Sequence, residues 1–203
     1  MKFAIINGSH RHNSQSGKVA GFIERTLQEQ GLCDAVWRYD LTGNPLPLWE
    51  EAIWDADPEW EARLAPIREA LSESDALVII SPEWHGMVPS GLKNFFLMLG
   101  AREVGHKPAL IVTVSNGPGG AYPVAELRMS SYKNNRLCYI PEQLIIRNVE
   151  QVLNEDGEND PEADPYYRER AVYALRILRE YAVALRGVRD SGVTFDERFK
   201  NGM

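Results

Sequence analysis

The chain has 203 residues, a length that suits one ordinary α/β domain. Its 22 basic and 29 acidic residues give a net charge of −7, which argues against the basic face that nucleic-acid-binding proteins need. No apolar run approaches the roughly 20 residues of a membrane span, and the N-terminus resembles a core strand more than an export signal. Cys33 and Cys138 lack the spacing of a metal or redox site. We therefore expect a cytoplasmic protein.

Five short apolar runs predict β-strands. The runs at 76–81 and 108–115 are almost continuously apolar, which is typical of strands buried on both faces of a parallel sheet. Strands that alternate with helices predict right-handed crossovers, and five strands fit a flavodoxin-like α/β fold. This fold is a three-layer sandwich with a parallel sheet in the order 2-1-3-4-5 and helices on both faces. The predicted strands are residues 3–7, 34–41, 76–81, 108–115 and 142–149.

Apolar residues at spacings of three and four predict helices between and after these strands. Asp57 and Pro58 are suited to begin the second helix, and Pro66 is expected to kink or restart it. Pro89 begins the third helix, which is expected to end near Gly100. The predicted helical segments are residues 19–27, 58–71, 89–100, 121–136 and 171–185.

The remaining segments have no regular period. Residues 43–57 and 154–165 are predicted to be irregular, and the second of these is an acidic, solvated loop. Residues 1–188 are predicted to form one domain. Residues 189–203 are predicted to be a C-terminal tail that is loose or packed on a neighbouring subunit.

The turn after the first strand, NGSHRHNSQSGK, has the composition of an anion site. Gly8 allows a sharp turn, the following helix presents free N–H groups, and Arg11 can pair with phosphate oxygens. The patterns GxxxxGK[ST] and GxGxxG are absent, which favours a single phosphate. The alternative is a polar turn in which Ser14 or Ser16 only caps the helix. The two histidines of this turn, His10 and His12, receive no role and are expected to face solvent.

The turns after the third and fourth strands suit a planar ligand. In SPEWHGMVPSGLKN (81–94), Trp84 offers a flat apolar face and Gly86 allows a reversal of the chain. Glu83 could equally be a surface carboxylate or bind nearby backbone, and His85 could be an exposed polar residue. In SNGPGGAY (115–122) the glycines allow close approach of backbone to a ligand, although a simple turn has the same composition.

Together the three turns resemble the NADPH-dependent FMN reductase family, flavodoxin-like proteins that include quinone, azo-dye and chromate reductases. The family patterns GSxRxxSxN, PEYNGxxPGxLKN and a glycine-rich turn are similar to residues 8–16, 82–94 and 115–120. The resemblance extends from the first strand to at least residue 146. The chain departs from the family's Tyr, Asn, Asn, Gly and Asp at Trp84, His85, Ser16, Ser90 and Leu97.

The resemblance implies an FMN-dependent oxidoreductase, a flavoprotein that passes hydride from NADPH, or alternatively NADH, to FMN and on to a small acceptor such as a flavin, quinone or azo compound. It implies a homodimer or homotetramer with the helix after Pro89 in an interface. The residues implied for the FMN phosphate are Ser9, Arg11, Ser14, Gln15 and Ser16. Those implied for the ring are Pro82, Glu83, Trp84, His85 and Gly86 on one side and Ser115, Asn116, Gly117, Gly119 and Gly120 on the other.

The cofactor would carry the chemistry, so the sequence nominates no catalytic acid, base or nucleophile and no metal ligand. His85 is a hypothetical proton donor, because its charge can change near neutral pH. The cations nearest the motifs in sequence are Arg102, Lys107 and Arg128, and none is identified as a clamp for a 2′-phosphate. Two other functions share the fold: a flavin-binding electron carrier and a flavin-free binding or regulatory protein.

Overall fold

The computed structural model describes residues 1–202 and contains one five-stranded parallel sheet in the order β2-β1-β3-β4-β5. This order and the helices that cover both faces confirm the predicted flavodoxin-like fold. The strands are β1 Lys2–Asn7, β2 Ala35–Asp40, β3 Ala76–Pro82, β4 Pro108–Val114 and β5 Cys138–Ile146. The helices are α1 Gln15–Glu29, α2 Pro58–Ser72, α3 Ser90–Leu97, α4 Ala101–Val104, α5 Ala121–Met129 and α6 Ala163–Asp190. Short 3₁₀ turns occupy Glu51–Ile53, Val149–Gln151 and Glu197–Phe199.

The sheet separates two apolar layers. Along β1, Phe3 and Ile5 face the layer formed by α1 and α6, whereas Ala4 and Ile6 face the layer formed by α2 to α5. This alternation follows from the two-residue repeat of a strand. Every residue of β3 and β4 is buried, as the apolar runs predict for central strands of a parallel sheet.

Several predicted helices differ from the structure. α5 ends at Met129 and not at residue 136. α6 spans Ala163–Asp190, which extends the predicted helix 171–185 at both ends and into the segment 154–165 that is predicted to be irregular.

α2 continues through Pro66 without a restart, because Leu64 and Ile67 on either side are buried in the core. The third helix ends at Leu97, and a separate short helix begins after Gly100, so the predicted segment 89–100 is too long.

The last strand, β5, begins earlier than predicted because it contains a bulge. Its pairing with β4 shifts between Ala109 and Ile111, so that β5 accommodates Pro141 without a ladder bond to that proline. The guanidinium of Arg128 donates hydrogen bonds to the carbonyls of Ile140 (2.7 Å) and Pro141 (3.1 Å). A proline within a strand is therefore compatible with this edge position.

The C-terminal segment returns to its own chain. After α6 ends at Asp190, the carbonyl of Thr194 accepts a hydrogen bond from Arg136 (3.1 Å), and the carbonyl of Phe199 accepts another. Residue 203, the last residue of the predicted tail, lies outside the described residues. The division into a domain at 1–188 and a tail stays a prediction.

Between residues 1 and 202, no helix combines the length and apolar character needed to cross a membrane.

Candidate functional site

Three loops meet at the carboxyl edge of the sheet. They are the β1 loop (residues 8–14), the β3 loop (residues 83–89) and the β4 loop (residues 115–120). Because β1, β3 and β4 are neighbours in the sheet, their loops lie side by side. β2 is on one side of β1 and β3 is on the other, so the strand order reverses between β1 and β3. Open α/β sheets bind ligands at this topological switch point.

The β1 loop passes tightly against the β3 strand and α3. The N–H of Gly8 donates to the carbonyl of Ile80 (2.8 Å). A Cβ at Gly8 would lie 2.8 Å from the carbonyl oxygen of Ile80 and 2.6 Å from Leu92 Cδ2, so only glycine fits. Ser9, which belongs to this loop, is buried, and its hydroxyl accepts a hydrogen bond from the N–H of Arg11 (3.3 Å). These contacts fix the direction in which the chain enters α1.

The N-terminus of α1 presents unpaired hydrogen-bond donors. Ser14 is the N-cap and its Oγ accepts from the N–H of Gly17 (3.0 Å). Within residues 1–202, the successive backbone N–H groups of residues 12–16 donate no hydrogen bond. Asn13 has a left-handed backbone (φ 50°), a conformation that occurs where successive N–H groups form an anion-binding turn. Such a helix start, with the exposed guanidinium of Arg11 beside it, is suited to a phosphate.

The predicted phosphate residues lie together at this start. Ser14, Gln15 and Ser16 occupy the N-cap and first turn of α1, and Ser9 and Arg11 precede them on the same loop. Gln15 Oε1 is buried without a hydrogen-bond partner in the described chain. An unpaired buried acceptor is costly, and a phosphate dianion has no hydrogen to donate to it, so this oxygen suits a hydroxyl of a bound ligand, whereas the free N–H groups suit its phosphate. The residues present thus fit a phosphorylated cofactor.

The β3 loop is a two-residue hairpin turn. The N–H of Trp84 donates to the carbonyl of Met87 (3.1 Å), and the N–H of Met87 donates back (2.9 Å). His85 (φ 51°) and Gly86 (φ 73°) between them are both left-handed, as a type I′ turn requires. His85 is exposed at the tip of this turn.

His10 contributes a contact that the sequence did not predict. Its Nε2 accepts a hydrogen bond from the N–H of Gly91 in the first turn of α3 (3.0 Å), and its ring meets Trp84 edge-on at 5.3 Å. The expectation that His10 faces solvent is therefore wrong, whereas His12 is exposed. Burial lowers the pKa of His10, in keeping with a neutral acceptor ring. His10 connects the β1 and β3 loops.

Glu83 connects the β3 and β4 loops. Its Oε2 accepts from the N–H of Gly120 (2.8 Å). A Cβ at Gly119 would lie 2.6 Å from Glu83 Oε1, and one at Gly120 would lie 2.7 Å from Ile145 Cγ2. Gly120 also has φ 100°, a conformation that favours glycine. The glycines of the β4 loop therefore serve close packing against Glu83 as well as a turn.

Two further side chains at this edge carry no motif in the sequence. Arg147, just after β5, donates from Nε to the carbonyls of Pro118 (2.8 Å) and Gly119 (3.0 Å) in the β4 loop. The exposed ring of Tyr122 lies over Gly86. The sequence could not predict these contacts, because they depend on how β5 and α5 pack and no motif with a fixed spacing indicates them.

The cations considered from the sequence lie elsewhere. Arg128 is bound to the bulge of β5 and to Gln143. Lys107 is buried and donates to the carbonyls of Leu71 and Ser72 at the end of α2. Arg102 lies on α4. None of these three reaches the loops at the carboxyl edge.

Comparison with protein families and known proteins gives a consistent result. The family model for NADPH-dependent FMN reductase matches residues 1–151. An NADPH azoreductase from Bacillus sp. (strain OY1-2) is 27% identical over 165 residues, which cover 81% of this chain and 85% of the relative. A quinone reductase from Pseudomonas putida KT2440 is 34% identical over 125 residues, with coverage of 59% and 62%. A quinone reductase from Escherichia coli K12 is 33% identical, with coverage of 60% and 64%.

Solved structures show the same fold at lower identity. FerB, a flavoenzyme NAD(P)H:(acceptor) oxidoreductase from Paracoccus denitrificans, has a TM-score of 0.70 and 20% identity, with coverage of 90% of this chain and 97% of FerB. The apo form of the NADH:FMN oxidoreductase EMOB has a TM-score of 0.66 and 16% identity, with coverage of 88% of each chain.

Proposed function

The chain belongs to the NADPH-dependent FMN reductase family, and from this membership we propose how its residues hold FMN and which acceptors it reduces. It is an NAD(P)H-dependent flavin oxidoreductase with FMN as its cofactor. Bound FMN supplies the redox chemistry, accepting hydride from NAD(P)H and returning electrons to an acceptor. The protein's own contribution is to bind and orient the cofactor.

The FMN phosphate lies on the β1 loop and the start of α1. The observation that supports this placement is the run of backbone N–H groups at residues 12–16 that have no partner within residues 1–202. Ser9, Ser14 and Ser16 add hydroxyl groups, Gln15 adds its amide, and Arg11 adds a charge-assisted pair. Ser16 keeps a hydroxyl where the family has Asn, so it retains a donor at that position.

The flavin ring lies between the β3 loop and the β4 loop. Residues 82–86 form one side and residues 115–120 form the other. The link between Glu83 and Gly120 fixes the spacing of these two sides before the ring binds. Trp84 adds an apolar surface larger than that of the family's Tyr, and His10 holds it edge-on.

The acceptor is a small planar compound, a quinone or an azo dye. The relatives named as quinone reductase and NADPH azoreductase support this choice. The exposed β3 turn and the exposed Tyr122 leave the outer side of the site open to such a compound.

The visible spectrum of the purified protein, recorded with and without NADPH, tests the function. We expect a yellow protein that NADPH bleaches and a quinone reoxidises. A flavin that stays oxidised would indicate a carrier, and a protein that stays colourless with added FMN would contradict the proposal.

A matched pair of variants tests the phosphate placement. Arg11→Gln should weaken FMN binding about tenfold or more, because a charge-assisted pair is worth roughly 1.5–3 kcal/mol. Arg25→Gln removes the same charge from α1, where Arg25 pairs with Glu155, and should leave FMN affinity unchanged. Equal affinities of both variants and the wild type would exclude a role for Arg11.

We further propose a homo-oligomer in the cytoplasm. Leu97 at the end of α3 is 65% exposed, and the exposed side chains of Trp54 and Phe195 line the same cavity of about 490 Å³, together with charged side chains such as Arg68 and Glu103. Exposed apolar clusters of this kind support an interface.

Cys33 and Cys138 are both free thiols, which supports a reducing compartment. Cell fractionation would test the location.

A further inference from the structure

Arg147 uses only part of its guanidinium group within the protein. Its Nε bonds two carbonyls of the β4 loop, at Pro118 and Gly119, and this fixes the position of the group. Within residues 1–202, its terminal nitrogens donate no hydrogen bond and form no ion pair. The backbone N–H of Arg147 donates to the hydroxyl of Tyr167 (3.2 Å), so the residue is held from both ends. A rigid guanidinium with free donors is suited to paired bonds with a phosphate.

A cavity of about 470 Å³ opens beside this guanidinium. It lies between β5 and the first turns of α6, and Gln143, Tyr166 and Tyr167 line it with Arg147. Tyr166 is 61% exposed and meets Tyr167 edge-on at 5.8 Å. The cavity is far larger than an inorganic phosphate and carries an accessible aromatic ring against which a heterocyclic base can stack.

The charges around the cavity favour an anion at Arg147. The other two charged side chains that line the cavity, Glu142 and Arg170, form an ion pair with each other. Arg170 also lies over the ring of Tyr173 at 5.0 Å. Arg147 is thus the cation of the cavity that has no counter-charge among the described residues, in a chain whose net charge is −7.

We propose that this cavity binds the adenosine 2′-phosphate end of NADPH, with the phosphate on Arg147 and the adenine on Tyr166. The proposal rests on the proposed function, because it places the far end of the electron donor next to the loop that borders the flavin ring. Arg147 joins the two parts of the site, since its Nε holds the β4 loop and its terminal nitrogens face the nucleotide. It is a specificity-determining residue that favours NADPH over NADH.

Calorimetric titration in the presence of excess FMN tests this assignment without relying on turnover. The probes are adenosine 2′,5′-bisphosphate and adenosine 5′-monophosphate, which differ only in the 2′-phosphate. We expect the wild type to bind the bisphosphate about tenfold to a hundredfold more tightly. Arg147→Gln should reduce this ratio to near one. Arg179→Gln, which removes an exposed charge from α6 outside the cavity, should leave it unchanged.

Other outcomes would overturn the proposal. These are a ratio near one in the wild type, an unchanged ratio in Arg147→Gln, or binding of inorganic phosphate as tight as that of the bisphosphate. Tyr166→Ala should weaken both probes by the same factor and keep their ratio, and unchanged binding of both probes would overturn the adenine position. The visible spectrum of Arg147→Gln with FMN shows whether the loop still holds the flavin. A colourless wild type would defeat the proposed function, whereas the nucleotide titration would still report on the cavity.

Discussion

At the scale of single residues, His85 occupies a strained backbone position. It has φ 51° in the type I′ turn of the β3 loop, where the family has Asn, a residue that adopts the left-handed conformation more readily. We expect His85→Asn to raise the free energy of unfolding by about 0.5–1 kcal/mol. Urea denaturation measures this change, and His12→Asn, an exposed substitution in the β1 loop, is the control with no expected change.

A loss of stability in His85→Asn would contradict this account of the turn. The same variant tests the hypothesis that His85 donates a proton. Turnover that is unchanged across pH would remove that hypothesis and leave His85 as a turn residue.

Some site residues could be predicted from a local sequence pattern, and others could not. The turns at Ser14 and Gly86 could be predicted from the sequence, because these residues act through the backbone next to them, whereas glycine is required at position 8 by contacts with Ile80 and Leu92. His10 and Arg147 could not be assigned, since each acts on a segment far along the chain. His10 caps the N–H of Gly91, and Arg147 holds the β4 loop. Such roles depend on tertiary packing, which a single sequence does not encode at any fixed spacing.

At the scale of elements, Lys107 joins β4 to the end of α2. Its ammonium donates to the carbonyls of Leu71 (2.6 Å) and Ser72 (2.7 Å), which belong to the last turn of the helix. Burial, reinforced by Arg189, lowers the pKa of Lys107 to about 8, whereas Asp75 and Glu103 oppose the shift. The folded protein therefore loses this proton at a lower pH than the unfolded chain, whose pKa is 10.5.

Between about pH 8 and pH 10.5 the unfolded chain binds more protons at this site, so the contribution of Lys107 to stability rises with pH. We expect the difference in unfolding free energy between wild type and Lys107→Met to increase across this range by at most about 3 kcal/mol. Below about pH 8 the difference should be flat. Urea denaturation of both proteins at matched pH values measures it, and a difference that falls as pH rises would contradict the burial of the charge.

The type and order of the elements could be predicted because periodicity depends on which face is buried. The first and last residues of the elements were less predictable at prolines, because proline is compatible with more than one local structure. Pro141 indicates a strand start in isolation, yet it sits in a bulge of β5, and Pro66 lies inside a continuous α2. In both cases the surrounding core contacts outweigh the local preference of proline.

At the scale of the whole molecule, the exposed apolar group around Leu97 tests the proposed assembly. Leu97→Glu places a charge on a side chain that is 65% exposed, so folding should be little affected. We expect the variant to weaken self-association more than tenfold, because burying an unpaired charge at an interface is costly. Light scattering after size-exclusion chromatography measures the mass.

Val183→Glu on α6, a half-exposed position outside this group, is the matched control and should keep the wild-type mass. A wild type that is monomeric at micromolar concentration, or a Leu97→Glu protein that assembles as well as the control, would exclude this interface.

The bulge of β5 also limits how copies of the chain can join. At an open sheet edge, a second copy could in principle continue the hydrogen-bond ladder and build a longer sheet. Along β5, Pro141 has no N–H to donate to a ladder, and Arg128 already engages the carbonyls of Ile140 and Pro141. Polymerisation by strand addition is therefore disfavoured at this edge.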